Sequence, residues 1–246
     1  MHSTVMSLPA TVAPRLHAVF TPSAPVVQAD RVLRIQGYSD LRRVRPAILK
    51  AAAAMAASAP ELSAPKVAYR RLSVCGLHDG VLELDGSLQL HCKAFDRTLR
   101  GCIEVIVFVL TVGAQLDARV MELADSGDLL EALLLETTGW LCIEDATRQF
   151  KVHVREECMS RDCRITSRLG PGYSYKVDSE LCSWNLEEQA TLFATFGGAE
   201  LPVSLMSSCA MLPKMSRSGI FGVAPLSLTA RGNSHFNADL HAVSSV

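Results

Sequence analysis

A helical pattern opens at Asp128 and runs for about seven turns, to Arg155, and it constrains this chain more than any other feature. Asp128 stands at the N-cap with Glu131 at N3, a capping-box arrangement. Leu129, Leu130, Leu133, Leu134, Trp140, Leu141 and Ile143 leave it apolar on most sides, which predicts a helix buried in the core. Upstream, Ile103 to Leu110 is apolar apart from Glu104 and reads as a central strand. It closes on Thr111-Val112-Gly113, where glycine lets the backbone turn directly into a helix over Ala114 to Ala124.

The remaining segments fill in around these two. Residues 1–29, rich in Ala, Pro, Ser, Val and Thr, read as a flexible N-terminal arm, and residues 226–246 as a C-terminal tail. Between them, 30–225 forms one domain. Order begins near Val32, Gly37 marks a turn, and a helix runs from about Val44 to Ala59 with Pro46 in its first turn and Pro60 and Pro65 beyond it. Lys66 to Leu72 alternates as a strand with Val67 and Tyr69 on one face. Val81–Leu84 and Ser87–Leu90 flank Asp85-Gly86, which suits a two-residue hairpin turn. A short helix near Ala94 to Leu99 ends at Gly101. In the last third, Cys163–Thr166 is a short strand, Arg168 to Tyr173 a tight loop, and Asn185 with Glu188 caps a helix to about Phe196. Leu205–Ser208 is a strand, Pro213 to Gly219 a loop, and Ile220–Val223 a strand. Interspersed strands and helices without a repeated βαβ unit predict an α+β fold: a largely antiparallel twisted sheet with packed helices.

Composition narrows the function classes. The 246 residues are 49% apolar and 20% charged, which excludes a disordered or collagen-like chain. With 24 Lys+Arg against 25 Asp+Glu, no basic field draws the protein to nucleic acid or to an anionic membrane. Mean hydropathy is +0.21, yet no apolar run approaches the roughly 20 residues of a membrane span. Eight cysteines without regular spacing and the lack of a signal peptide predict reduced thiols and a cytoplasmic protein.

Common catalytic signatures are missing: there is no phosphate-binding Gly-rich loop, nucleophile elbow or His-Glu-x-x-His, and the seven histidines are scattered. Cys158, Cys163 and Cys182 could hold zinc or an iron–sulfur cluster, but their spacing is irregular and a fourth ligand is not evident. Two loops carry chemistry. Arg168 to Tyr173 combines a guanidinium for a carboxylate, exposed backbone amides and carbonyls, and an aromatic face; its plainer reading is an ordinary turn. Pro213 to Gly219 is small and polar enough to admit a ligand or another backbone, and its plainer reading is an edge loop. Within the long helix, Glu136, Glu144 and Asp145 need partners. Glu144 either pairs with Arg148 one turn on or meets a ligand amine.

Four stretches occur in a telling order. They are Val32 to Tyr38 (VLRIQGY), Val105 to Gly113 (VIVFVLTVG), the helix from Gly127-Asp128 to Asp145, and a last pair. That pair is Arg168-x-x-Pro171-Gly172-Tyr173 with Met211-Leu212-Pro213-x-x-Ser216-x-Ser218-Gly219. Over about residues 30 to 225, the chain resembles the activation domain of cobalamin-dependent methionine synthase, and more closely the stand-alone proteins of that family. Their segments read LRYLGY, RPxPGY and WPxxSVSG.

The resemblance implies S-adenosylmethionine bound along an inner groove and presented to an oxidised corrinoid, which is reductively methylated. Arg168 would clamp the methionine carboxylate, and Leu169, Gly170, Gly172 and Tyr173 would hold the adenosyl part. Glu144 would lie near the donor's amine, with Gly219, Ile220 and Phe221 lining the groove. Cobalamin would be carried by a partner, a corrinoid-binding protein or methyltransferase component. Electrons would come from a reductant such as a flavodoxin-type protein. The chain would be an accessory of methyltransferase chemistry in methionine biosynthesis. It departs from the family in Phe221, where a Tyr is usual, in lacking an Asp-containing opening segment, and in Lys214 and Arg217, which decorate a less charged loop. Alternatives are a redox activator using the three cysteines, and a non-catalytic adaptor that has lost the donor site.

Overall fold

The computed structural model describes residues 17–227 and 243–244. In chain order, β1 (Ala18–Phe20), α1 (Ala29–Ile35), α2 (Pro46–Ala57) and α3 (Ala59–Leu62) precede β2 (Lys66–His78), β3 (Val81–Leu84) and β4 (Leu88–His91). Then come α4 (Phe95–Thr98), β5 (Glu104–Thr111), α5 (Gln115–Asp125) and α6 (Leu129–Met159). The last third holds β6 (Cys163–Ile165), β7 (Tyr173–Val177), β8 (Glu180–Ser183), α7 (Glu188–Ala194), β9 (Ser204–Leu205), β10 (Met211–Leu212), β11 (Ser216–Pro225) and β12 (Val243–Ser244).

Seven strands form the main sheet, in the order β4-β3-β2-β5-β11-β6, with β1 pairing β2. Every pairing is antiparallel, so the fold is α+β as the pattern predicts. The apolar run forms β5 at the centre, flanked by β2 and β11. Its period of two divides the core: Val105, Val107 and Val109 face one side, Ile106, Phe108 and Leu110 the other. The first side is closed by the β3–β4 hairpin, α4 and the β7–α7 region, through Phe95, Trp184, Tyr175 and Leu192. The second is closed by α5 and α6, through Leu116, Ile143 and Phe150. A third cluster clamps α6 from outside, where Val32, Leu33, Ile48 and Ala52 of α1 and α2 meet Leu134 and Leu141.

Several local expectations shift. Part of the predicted arm is structured, because Ala18–Phe20 pairs with Val67–Tyr69; residues 1–16 lie outside the described residues, as does most of the tail. The hairpin loop holds three residues rather than two, since Leu84 pairs with Leu88; Gly86 and Ser87 both take positive φ. Pro60 does not simply stop a helix but opens the short α3. α6 extends to Met159, 31 residues, and neither Asp128 nor Asn185 caps a helix through its side chain. Glu188 instead accepts from the His91 backbone N–H at 3.0 Å, joining α7 to β4. Residues 216–219, read as a loop, are the first half of β11.

Candidate functional site

α6 is not buried all round: Leu129, Leu133 and Trp140 are 67%, 48% and 42% exposed. Glu136, Trp140, Glu144, Thr147, Arg148 and Lys151 recur at helical spacing along one face and line a groove of about 930 Å³. The opposite wall is Arg168, Tyr173, Arg217 and Phe221. The helix therefore supplies one wall, while β11 and the loop before β7 supply the other.

That loop is pinned. Leu169 N–H donates to the Ile220 carbonyl at 3.0 Å, and Ile220 N–H returns a bond at 2.8 Å. The close pairing requires glycine at 219, because a Cβ there would stand 2.3 Å from the Leu169 carbonyl oxygen. The buried Tyr175 hydroxyl takes the Gly170 N–H at 2.6 Å and donates to the Gly170 carbonyl at 3.0 Å. Burial pushes the Tyr175 phenol up to about 12, keeping it a donor. Gly172 N–H goes to the Trp184 carbonyl at 2.8 Å. The backbone amides expected to face a ligand are thus committed internally, and Leu169 and Ile220 point their fully buried side chains into the core opposite α6.

Of the nine site residues expected from the sequence, four line the groove: Glu144, Arg168, Tyr173 and Phe221. The Arg168 guanidinium carbon lies 4.5 Å from the Tyr173 ring centroid, and Nη1 donates to the Ser218 carbonyl at 3.5 Å. Burial, then the like charge of Arg217, lowers the pKa of Arg168. Phe221 stacks on Phe108, ring centroids 5.4 Å apart, and shapes the groove floor.

Arg217 is the residue whose placement the sequence reading missed. On β11 it is 8% exposed and its side chain faces α6, donating from Nη2 to Glu144 at 2.5 Å and from Nη1 to Thr147 at 3.2 Å. Glu144 does not pair with Arg148, which turns to Asp145. Partial burial raises the Glu144 pKa, but the Arg217 hydrogen bond and charge outweigh it, and the carboxyl stays below its ordinary range. Lys214 pairs with Glu136, and its backbone N–H donates to Asp117 at 2.5 Å. Arg217, Gly219 and Phe221 alternate toward α6, a pattern that exists only because residues 216–219 are strand.

Cys158, near the end of α6, and Cys163 lie in the core between that helix and the sheet, whereas Cys182 lies in the core across the sheet. The three thiols do not converge, and this removes the basis for a cluster-bearing redox activator. Among the described residues, no helix is long and apolar enough to cross a membrane.

Sheet, covering helix and intervening groove define an α+β architecture with a cleft between helix and sheet. It is similar to the crystal structure of the MetH reactivation domain bound to AdoHcy, with a TM-score of 0.57 and 15% sequence identity, covering 99% of this chain and 87% of that one. The chain has the fold of that reactivation domain. No protein-family model and no curated protein matches it.

Proposed function

We propose that this chain is a reactivation component that binds S-adenosylmethionine in the α6–β11 groove and presents its methyl group to a protein-bound corrinoid. The observation that carries the reading is Arg168. It is a largely buried guanidinium, fixed over Tyr173 at the groove wall, that no carboxylate pairs with among the described residues. A ligand carboxylate is the natural partner for such a group. The Tyr173 and Trp140 rings offer faces for an adenine base, and Glu144 offers an anion for the ammonium. The MetH reactivation domain of like fold holds AdoHcy, which supports a ligand of this class.

When bound, the donor supplies an electrophilic methyl on a sulfonium. Methyl transfer to reduced cobalt needs no protein nucleophile, so the work of these residues is positioning. Arg168 and Glu144 orient the amino-acid end, while Phe221 and the loop pinned by Tyr175 shape the wall. The reductant, in this reading, is a separate flavodoxin-type protein.

Calorimetric titration with S-adenosylmethionine tests the donor site. Saturable one-site binding is expected, and Arg168→Ala should weaken it by about 1.5–3 kcal/mol, the size of a charge-assisted hydrogen bond. No binding at millimolar ligand would leave an adaptor. Formation of methylcobalamin on a corrinoid protein, with reductant and donor present, then tests the transfer.

A further inference from the structure

Besides Arg168 the groove is lined by Arg148 and Arg217, and for the inner of these, Arg217, the zwitterionic amino-acid end of the ligand gives no reason. Arg217 is nearly buried and occupies Glu144 through Nη2. It stands close enough to Arg168 for their like charges to oppose one another. Four cations (Arg148, Lys151, Arg168, Arg217) line the groove against two carboxylates, Glu136 and Glu144. Adding the outside partners Asp145 and Lys214 leaves the same excess of two positive charges.

We infer that Arg217 sets specificity within this groove, turning it toward the demethylated thioether over the cationic sulfonium. The inference rests on the donor-site reading above. S-adenosylmethionine and AdoHcy share a carboxylate, an ammonium and a base, and differ by a methyl group with its positive charge. The ratio of their affinities therefore reports the potential at the sulfur. Glu144 is shared between Arg217 and the ligand ammonium and Glu136 is held by Lys214, so neither acid lining the groove is left over to face the sulfonium. The site consequently empties of donor as demethylated product accumulates.

Titrating both ligands into the wild type, Arg217→Met and Glu144→Gln, at low and high salt, decides the matter. The wild type should bind AdoHcy roughly tenfold more tightly than S-adenosylmethionine, the order of one unit-charge interaction across a part-buried site. Arg217→Met frees Glu144 and should bring the ratio toward unity, Glu144→Gln should widen it, and salt should narrow it in the wild type. If Arg217→Met fails to fold by circular dichroism, the opposite shift in Glu144→Gln carries the test. Equal affinities in the wild type, or a ratio unmoved by either variant, would overturn the role of Arg217 while leaving the donor site standing. Absence of binding by both ligands to the wild type would overturn the donor site itself, and this inference with it.

Discussion

Gly219 and Gly139 both occupy positions where a Cβ would crowd a neighbour, and what that neighbour is decides the cost. At Gly219 it is the Leu169 carbonyl oxygen, 2.3 Å away, which is backbone and cannot yield without breaking the Leu169–Ile220 bridge. At Gly139 the neighbours are the tips of Leu116 and Met215, at 2.7 and 3.0 Å, which can swing aside. Gly219→Ala should therefore destabilise by about 1–3 kcal/mol. Gly139→Ala should stay near neutral, since about 1 kcal/mol of helix propensity offsets the shift. Urea unfolding of the two variants checks this, and the reverse order would contradict it. Tyr175→Phe strands the buried Gly170 amide and should cost about 1–3 kcal/mol in the same assay. Thiol chemistry follows burial. Burial pushes Cys92 and Cys142 up to about 11 and Cys102 to about 12, whereas Cys75 is exposed. Mass spectrometry after brief iodoacetamide treatment at neutral pH should find Cys75 modified and those three intact.

At the scale of elements, α6 teaches what periodicity conveys and what it withholds. Its length and apolar content were legible, but which face neighbours would cover was not, because that depends on where α1, α2 and the sheet arrive. Phe150 lies among Phe108, Tyr69 and Phe221, so Phe150→Ala should cost about 3–5 kcal/mol. Leu129→Ala, on the exposed face, should stay within about 0.5 kcal/mol. A thermal-melt comparison of the pair distinguishes the two faces. β5 and the β3–β4 hairpin were legible because their signals are local. β11 was half hidden because Ser216, Arg217, Ser218 and Gly219 carry no apolar alternation. They are strand residues through pairing with β5 and, at Arg217, through an ion pair to a helix more than seventy positions away in sequence. For the same reason, Arg168, Tyr173 and Phe221 could be read from motifs, while the partner of Glu144 could not.

Across the whole molecule, Glu104 ties three regions together. Its carboxylate bonds Arg161, just after α6, at 2.8 Å and lies 3.5 Å from Arg71 of β2. The Arg161 hydrogen bond outweighs burial, and with both guanidinium charges it holds the Glu104 carboxyl below its ordinary range. A depressed carboxyl contributes stability that is present above its unfolded-state pKa and lost as pH falls through the folded one. Stability should thus decline as pH drops below about 4.5. Glu104→Gln should flatten that decline when urea midpoints are compared between neutral and acid pH. The central position of β5 has a further consequence, for how the chain is made. One of its two partner strands, β2, leaves the ribosome before it, but the other, β11, emerges only after α6 and the whole β6–β10 region have been synthesised. Until then the most apolar strand of the protein shows an unpaired edge. Slow translation or a stall before Ser216 therefore exposes the chain to aggregation, and the groove exists only once the last strand of its central trio has docked.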